Sequence, residues 1–212
     1  MPFYEIIHHI NLTRQQRETL AREITTLHSK AFSAPSYFVN IKFSPSHNAS
    51  ILAPSSPVVP EYFIAGKARP HPNLIFAHVR SGASRSNDAF AKLAEDIENI
   101  WDEVVGLPSF QPSGHPAQTH PESHGMGGGQ EGGEKGRDWS DERRLQAVYI
   151  VPGLVARESG LRIPEAGGER EWLQANWGTF QRRADEGDED MRRLMGEVEG
   201  RGKTNPGGQN AE

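Results

Sequence analysis

A proline stands second in the chain, directly ahead of the apolar run Phe3 to Ile10. A small second residue generally permits removal of Met1, and Pro2 then presents a secondary amine at the start of a strand. An α-amino group titrates at about 8. Burial lowers that value and a neighbouring carboxylate raises it, so the amine can take or give a proton near neutral pH. Taken alone the signal is weak, because most second-position prolines sit at an exposed terminus. Other reactive residue types gather without a compelling pattern. His115, His120 and His124 fit no compact zinc spacing and lie among almost no aliphatic residues, so they read as a solvated loop. The glycine run at 125–129 has no strand before it and no helix start after it, unlike a dinucleotide fingerprint. His8 and His9 send one ring to each face of a strand, and Asp185 to Asp190 reads as a solvated face.

Pro2 needs a framework, and the sequence predicts one. Phe3 to Ile10 is a strand. Thr13 with Gln16 makes a capping box, and Leu20, Ile24, Leu27 and Ala31 continue an amphipathic helix from Arg14 to Phe32, stopped by Pro35. Val39 to Phe43 alternates as a strand with one buried face. After a Pro/Ser-rich loop at 44–60, Glu61 to Ala65 is a short strand and Leu74 to Val79 a longer apolar one. Ser86 caps a second helix with an apolar stripe through Phe90, Leu93, Ile97 and Val104, and Ala147 to Val151 is the next strand. The order strand–capped helix–strand occurs twice. Each unit makes a parallel pair, and two units give a sheet with both helices on one face. The other face is bare, and self-association is the simplest way to cover it.

Composition sets the bounds. The 212 residues hold 22 Gly, 15 Pro and 35% hydrophobic residues, which fits a compact core with flexible inserts. The absence of cysteine excludes disulfides, thiol catalysis and Cys-ligated metal. A net charge of −5 argues against nucleic-acid binding. No apolar run is long enough to span a bilayer, and no apolar leader is expected, which fits a cytoplasmic protein.

Pro2 ahead of a repeated strand–helix–strand pattern resembles the tautomerase superfamily, and within it cis-3-chloroacrylic acid dehalogenase and its fungal relatives. Met1-Pro2-Phe3-Tyr4 opens as that family does, and Ala21 to His28 is similar to the end of its first helix. Glu61 to Gly66, Leu74 to His78 and Glu171-Trp172-Leu173 resemble further segments of it. The resemblance implies an α/β fold with a four-stranded sheet, two helices on one face and a helical carboxy-terminal tail. The sequence pattern itself reads as one domain over 1–200, with repeats at 2–44 and 73–152, a flexible insert at 108–140 that is longer than in the dehalogenase, tail helices at 168–200 broken near Gly187, and a disordered end at 201–212. The resemblance further implies a homotrimer of three such sheets, and no cofactor or metal.

The resemblance assigns roles to residues that are unremarkable by themselves. His28 could be a surface histidine, Arg85 a loop charge, Tyr149 a core residue and Glu158 an ordinary solvated carboxylate. By resemblance, Pro2, Tyr149 and Glu158 are catalytic, while His28, Arg80 and Arg85 bind substrate. The family's first arginine falls at Gly82 here, and Arg80 is the nearest replacement. Arg85, with Arg80 or His28, would hold a substrate carboxylate, bidentately where arginine does so. Glu158 and Tyr149 would position a water, and Pro2 would move a proton at the adjacent carbon. Hydration of an activated alkene uses all these roles, and keto–enol tautomerisation uses all but the water. The expected activity is a cofactor-independent tautomerase or hydratase acting on a small unsaturated or 2-oxo carboxylic acid. A carboxylate-binding protein without turnover on the same scaffold is the competing expectation, favoured by Gly82. Retention of Tyr149 and Glu158 favours the enzyme.

Overall fold

The computed structural model describes residues 2–46, 62–69, 72–82, 85–108, 141–153, 157–158 and 160–204. The expected insert lies almost wholly outside them, as do the three insert histidines, the glycine run and residues 205–212.

The first unit is β1 (Phe3–His8), α1 (Arg14–Phe32), a short 3-10 turn (Ser36–Phe38) and β2 (Asn40–Pro45). Thr13 closes both halves of its capping box with Gln16, which satisfies two orphan donors at the start of α1. The helix ends where Ser33 turns left-handed, at φ 53°. The hairpin β3 (Tyr62–Ile64) and β4 (Lys67–Arg69) follows. The second unit is β5 (Asn73–Arg80), α2 (Asn87–Val105) and β6 (Leu145–Gly153). Ser86 caps α2 through Ala89 N–H, and Gly106 ends it at φ 73°, a conformation glycine adopts without strain.

The main sheet has the order β2-β1-β5-β6. β1 and β2 are parallel, as are β5 and β6, and the two units meet antiparallel through β1 and β5. Asn73 ties the seam. Its side-chain oxygen accepts from His9 and Ile10 N–H, and its amide donates to the carbonyls of Glu142 and Arg144. The short strand expected at 61–65 is present as β3, and it pairs with β4 in a hairpin that joins no other strand among the described residues.

One face of the sheet is covered by both helices. Tyr4, Ile6, Ile75, Ala77 and Val79 pack there against Leu20, Ile24, Leu93, Ile97 and Trp101. Burial of each large aliphatic side chain stabilises by about 1.5–3 kcal/mol. The alternate residues point the other way. Phe3 and Tyr149 remain 38% and 45% exposed, and Tyr149 stacks on Phe76 with ring centroids 5.0 Å apart. That face is open in the single chain, and it mixes these aromatic rings with polar residues such as the Glu5–Lys42 ion pair.

Beyond the sheet come the two-residue strands β7 (Arg157–Glu158) and β8 (Leu161–Arg162), then α3 (Glu169–Asp185) and α4 (Glu189–Thr204). The break between these helices falls at Gly187, φ 104°, as the sequence predicts. Phe180, Ala184, Met191 and Leu194 form a second apolar cluster with Phe38. This tail packs on the turn after α1. α4 continues past Gly200, where the sequence reads as frayed, to Thr204. Arg201 holds it by donating to the carbonyls of Ser33 and Ala34 and pairing with Glu197. No helix among the described residues is long and apolar enough to cross a membrane.

Candidate active site

Four parts of the fold converge on one cavity. The start of β1 supplies Pro2, α1 supplies His28, the end of β5 and the loop after it supply Arg80 and Arg85, and the first turns of α3 supply Glu169 and Trp172. The cavity encloses about 360 Å³ of empty space, part of it open to solvent, and Phe38, Ile163 and Leu173 make its apolar walls.

His28 lies on the inner face of α1 and is fully buried. Its Nδ1 is 2.7 Å from the Tyr4 hydroxyl. Burial drives the imidazole pKa down to about 3, with the charges of Arg85, the chain's amino terminus and Arg80 adding to the effect. The ring is therefore neutral at physiological pH. Burial also raises the Tyr4 pKa far above the ordinary phenol value, so Tyr4 keeps its proton. Nδ1 is the hydrogen-bond partner found for that hydroxyl among the described residues, so Tyr4 donates to it. Nε2 then carries the imidazole hydrogen. Nε2 is buried without a partner among the described residues, leaving a neutral N–H donor unused there. A buried donor without an acceptor costs about 1–3 kcal/mol, and such sites fit a bound acceptor.

The two arginines are held as a pair. Arg80 Nη2 and Arg85 Nη2 donate to the same oxygen of Glu169, at 2.7 and 3.2 Å. The second Glu169 oxygen accepts from Gly167 N–H at 2.7 Å. Arg85 Nη1 donates to the Arg80 carbonyl, and its guanidinium carbon lies 4.6 Å from the centre of the Phe32 ring. Burial pulls the pKa of each arginine below its ordinary value, and Glu169 opposes the shift. Arg80 Nε and Nη1 are buried without partners among the described residues.

Position 82 has no room for a side chain. A Cβ at Gly82 would stand 2.8 Å from Ala166 Cβ and 3.0 Å from Ala166 O. The turn that leads into α3 fills the space a side chain at 82 would need. That same turn delivers Glu169 to the arginines.

Glu158 sits beside the cavity, half-buried on β7. Asn40 Nδ2 donates to its Oε1 at 3.2 Å, and Asn40 N–H donates to the Pro2 carbonyl. Burial raises the Glu158 pKa, while Asn40 and the amino-terminal charge lower it. Tyr149 does not join the others within one chain. It lies on the open face of the sheet, stacked on Phe76. The cavity thus brings together Pro2, His28, Arg80 and Arg85, with Glu158 adjacent and Tyr149 apart. Tyr4, Asn40 and Glu169 were not anticipated from the sequence. No group of three or more His, Asp or Glu among the described residues could hold a metal ion.

Residues 1–88 match the family model described as "Putative oxalocrotonate tautomerase enzyme". Among solved structures, N1, a member of the cis-3-chloroacrylic acid dehalogenase family, superposes with a TM-score of 0.51 at 22% identity, over 87% of this chain and 99% of N1. This chain shares the fold of N1. The sequence likeness to the family model covers the first 88 residues, and the likeness of fold to N1 covers most of the chain. Leishmania major MIF2 (TM-score 0.44, 14% identity, 77% of this chain and 97% of that one) and the Q0 fused 4-OT symmetric trimer (0.45, 11%, 78% and 98%) are more distant likenesses. No curated protein matches the sequence.

Proposed function

We propose that this chain belongs to the tautomerase superfamily and is a cofactor-independent tautomerase or hydratase, related in chemistry to cis-3-chloroacrylic acid dehalogenase. Its substrate is a small unsaturated or 2-oxo carboxylic acid. The observation that carries the reading is Pro2 lining the same buried cavity as His28, Arg80 and Arg85. In this reading an arginine and the Nε2–H of His28 hold the substrate's carboxylate and carbonyl oxygens. The Pro2 amine, freed of Met1, takes a proton from one substrate atom and returns it to another. For water addition, Glu158 accepts a proton from the attacking water while Pro2 protonates the adjacent carbon. A carboxylate with a raised pKa is a better proton acceptor, which suits that role.

The same proposal makes the protein a homotrimer in the cytoplasm. The exposed aromatic rings of Phe3 and Tyr149, with Phe76 stacked on Tyr149, favour burial of that face against other copies. Tyr149 would then work across that interface, in a cavity of a neighbouring copy. The competing reading is a carboxylate-binding protein without turnover, and Glu169 already seated on both arginines favours it. An assay panel of phenylenolpyruvate and both 3-haloacrylate isomers separates the two. Turnover of at least one supports the enzyme. Binding of these acids without turnover of any supports the binding protein.

A further inference from the structure

Two guanidinium groups in one small cavity invite two negative charges, yet one of those charges is supplied by the protein. Glu169 reaches the arginines from the first turn of α3. One of its oxygens takes Nη2 from both, and the other is fixed by Gly167 N–H. The Arg80, Arg85 and Glu169 side chains are 12%, 4% and 20% exposed, so water screens the three charges only weakly. His28 contributes no charge at physiological pH. Before the proton on Pro2 is counted, two arginines and one carboxylate leave the cavity with a single positive charge. A ligand carboxylate gripping Arg80 bidentately must share or take the Nη2 that Glu169 holds. A second carboxylate on the ligand would then meet the Glu169 charge.

We propose that Glu169 is a specificity-determining residue: by holding Arg80 and Arg85 through one oxygen, it cancels one guanidinium charge and sets the cavity for a singly charged carboxylate over a dianion. The inference rests on the carboxylate-site reading above and adds to it which acids are admitted. It also separates the two arginines by task. Both terminal nitrogens of Arg85 are committed, one to Glu169 and one to the Arg80 carbonyl. Arg80 keeps two nitrogens without partners among the described residues. Arg80 is therefore the ligand's contact and Arg85 the support that orients it.

The test is calorimetric binding of acrylate and of maleate at mildly alkaline pH, where maleate carries both charges. The proteins are the wild type, Glu169→Gln and Glu169→Asp. Glu169→Gln keeps the size and most of the hydrogen bonding and removes the charge. The affinity of maleate relative to acrylate should rise about tenfold, the scale expected for one weakly screened charge a few ångströms away. Glu169→Asp keeps the charge, and the ratio should stay within about twofold of wild type. A merely structural role would weaken both ligands together and leave the ratio alone, and an unmoved ratio in Glu169→Gln overturns the inference. The wild type alone also decides, without any variant. Maleate binding more than about tenfold tighter than acrylate would contradict a site set for one charge. If the wild type binds neither acid, the carboxylate-site reading falls and takes this inference with it. If acrylate binds and the ratio does not move, only the role of Glu169 is lost.

Discussion

Lowering the pH should destabilise the protein through His28 before most carboxylates begin to titrate. The ring is buried and neutral, with a folded-state pKa of about 3 against an ordinary value of 6.5. The unfolded chain takes up a proton as pH falls below 6.5, and the folded chain does not until far lower. The depressed value means that this stability is fully present above pH 6.5 and is lost as pH falls toward the folded pKa. Each unit is worth about 1.4 kcal/mol, so the loss between about pH 7.5 and about pH 4.5 is about 2.7 kcal/mol. Glu158 acts in the opposite sense over part of that window, because its folded pKa is raised. Comparison with His28→Asn isolates the histidine, since asparagine can still accept from Tyr4 but cannot titrate. Urea unfolding across the window, at one fixed protomer concentration, should give a steeper loss for wild type by about 2.7 kcal/mol. Parallel pH profiles would refute the reasoning. They would mean that His28 is protonated in the folded state and that Nε2–H is not a neutral donor.

Glu158→Gln should abolish hydratase or dehalogenase turnover and spare much of any tautomerase turnover, read from initial rates with a haloacrylate and with phenylenolpyruvate. Equal loss of both would mean that Glu158 sets the protonation of Pro2 instead. Gly82→Ala should lower stability by about 1–3 kcal/mol by forcing a Cβ against Ala166. Adding Ala166→Gly should recover only part in a thermal melt, because the Ala166 carbonyl, 3.0 Å from the new Cβ, remains. Light scattering at micromolar concentration should give three protomers, and a stable monomer would contradict burial of the Phe3 and Tyr149 face.

The readable parts of this fold were the local ones. The caps at Thr13 and Ser86, the apolar stripes behind them and the break at Gly187 each depend on residues a few positions apart. The parallel pairing within each strand–helix–strand unit followed from its connectivity. The first arm of the β3–β4 hairpin and the turn at Gly66 are legible, but the second arm, Lys67 to Arg69, is hidden among turn-forming residues between Gly66 and Pro70. In the site, His28, Arg80 and Arg85 were legible only through a family resemblance. Their use depends on partners far away in sequence. Tyr4 is 24 positions from His28, Glu169 is 89 from Arg80, and Asn40 is 118 from Glu158. Neither period nor spacing reports such contacts. The replacement of the family's first arginine by Gly82 looked like a loss in the sequence. It becomes intelligible once Ala166 is seen to occupy that space.

The central claim is that the Pro2 amine moves the proton, and one comparison tests it most directly. Turnover of the best substrate in the panel is measured for protein with Pro2 as its free terminus and for protein whose terminus is carbamoylated, with acrylate binding measured on both. The account predicts that the blocked protein still binds acrylate and loses about a hundredfold or more in rate, the scale of general acid–base catalysis. Undiminished turnover by the blocked protein would contradict it.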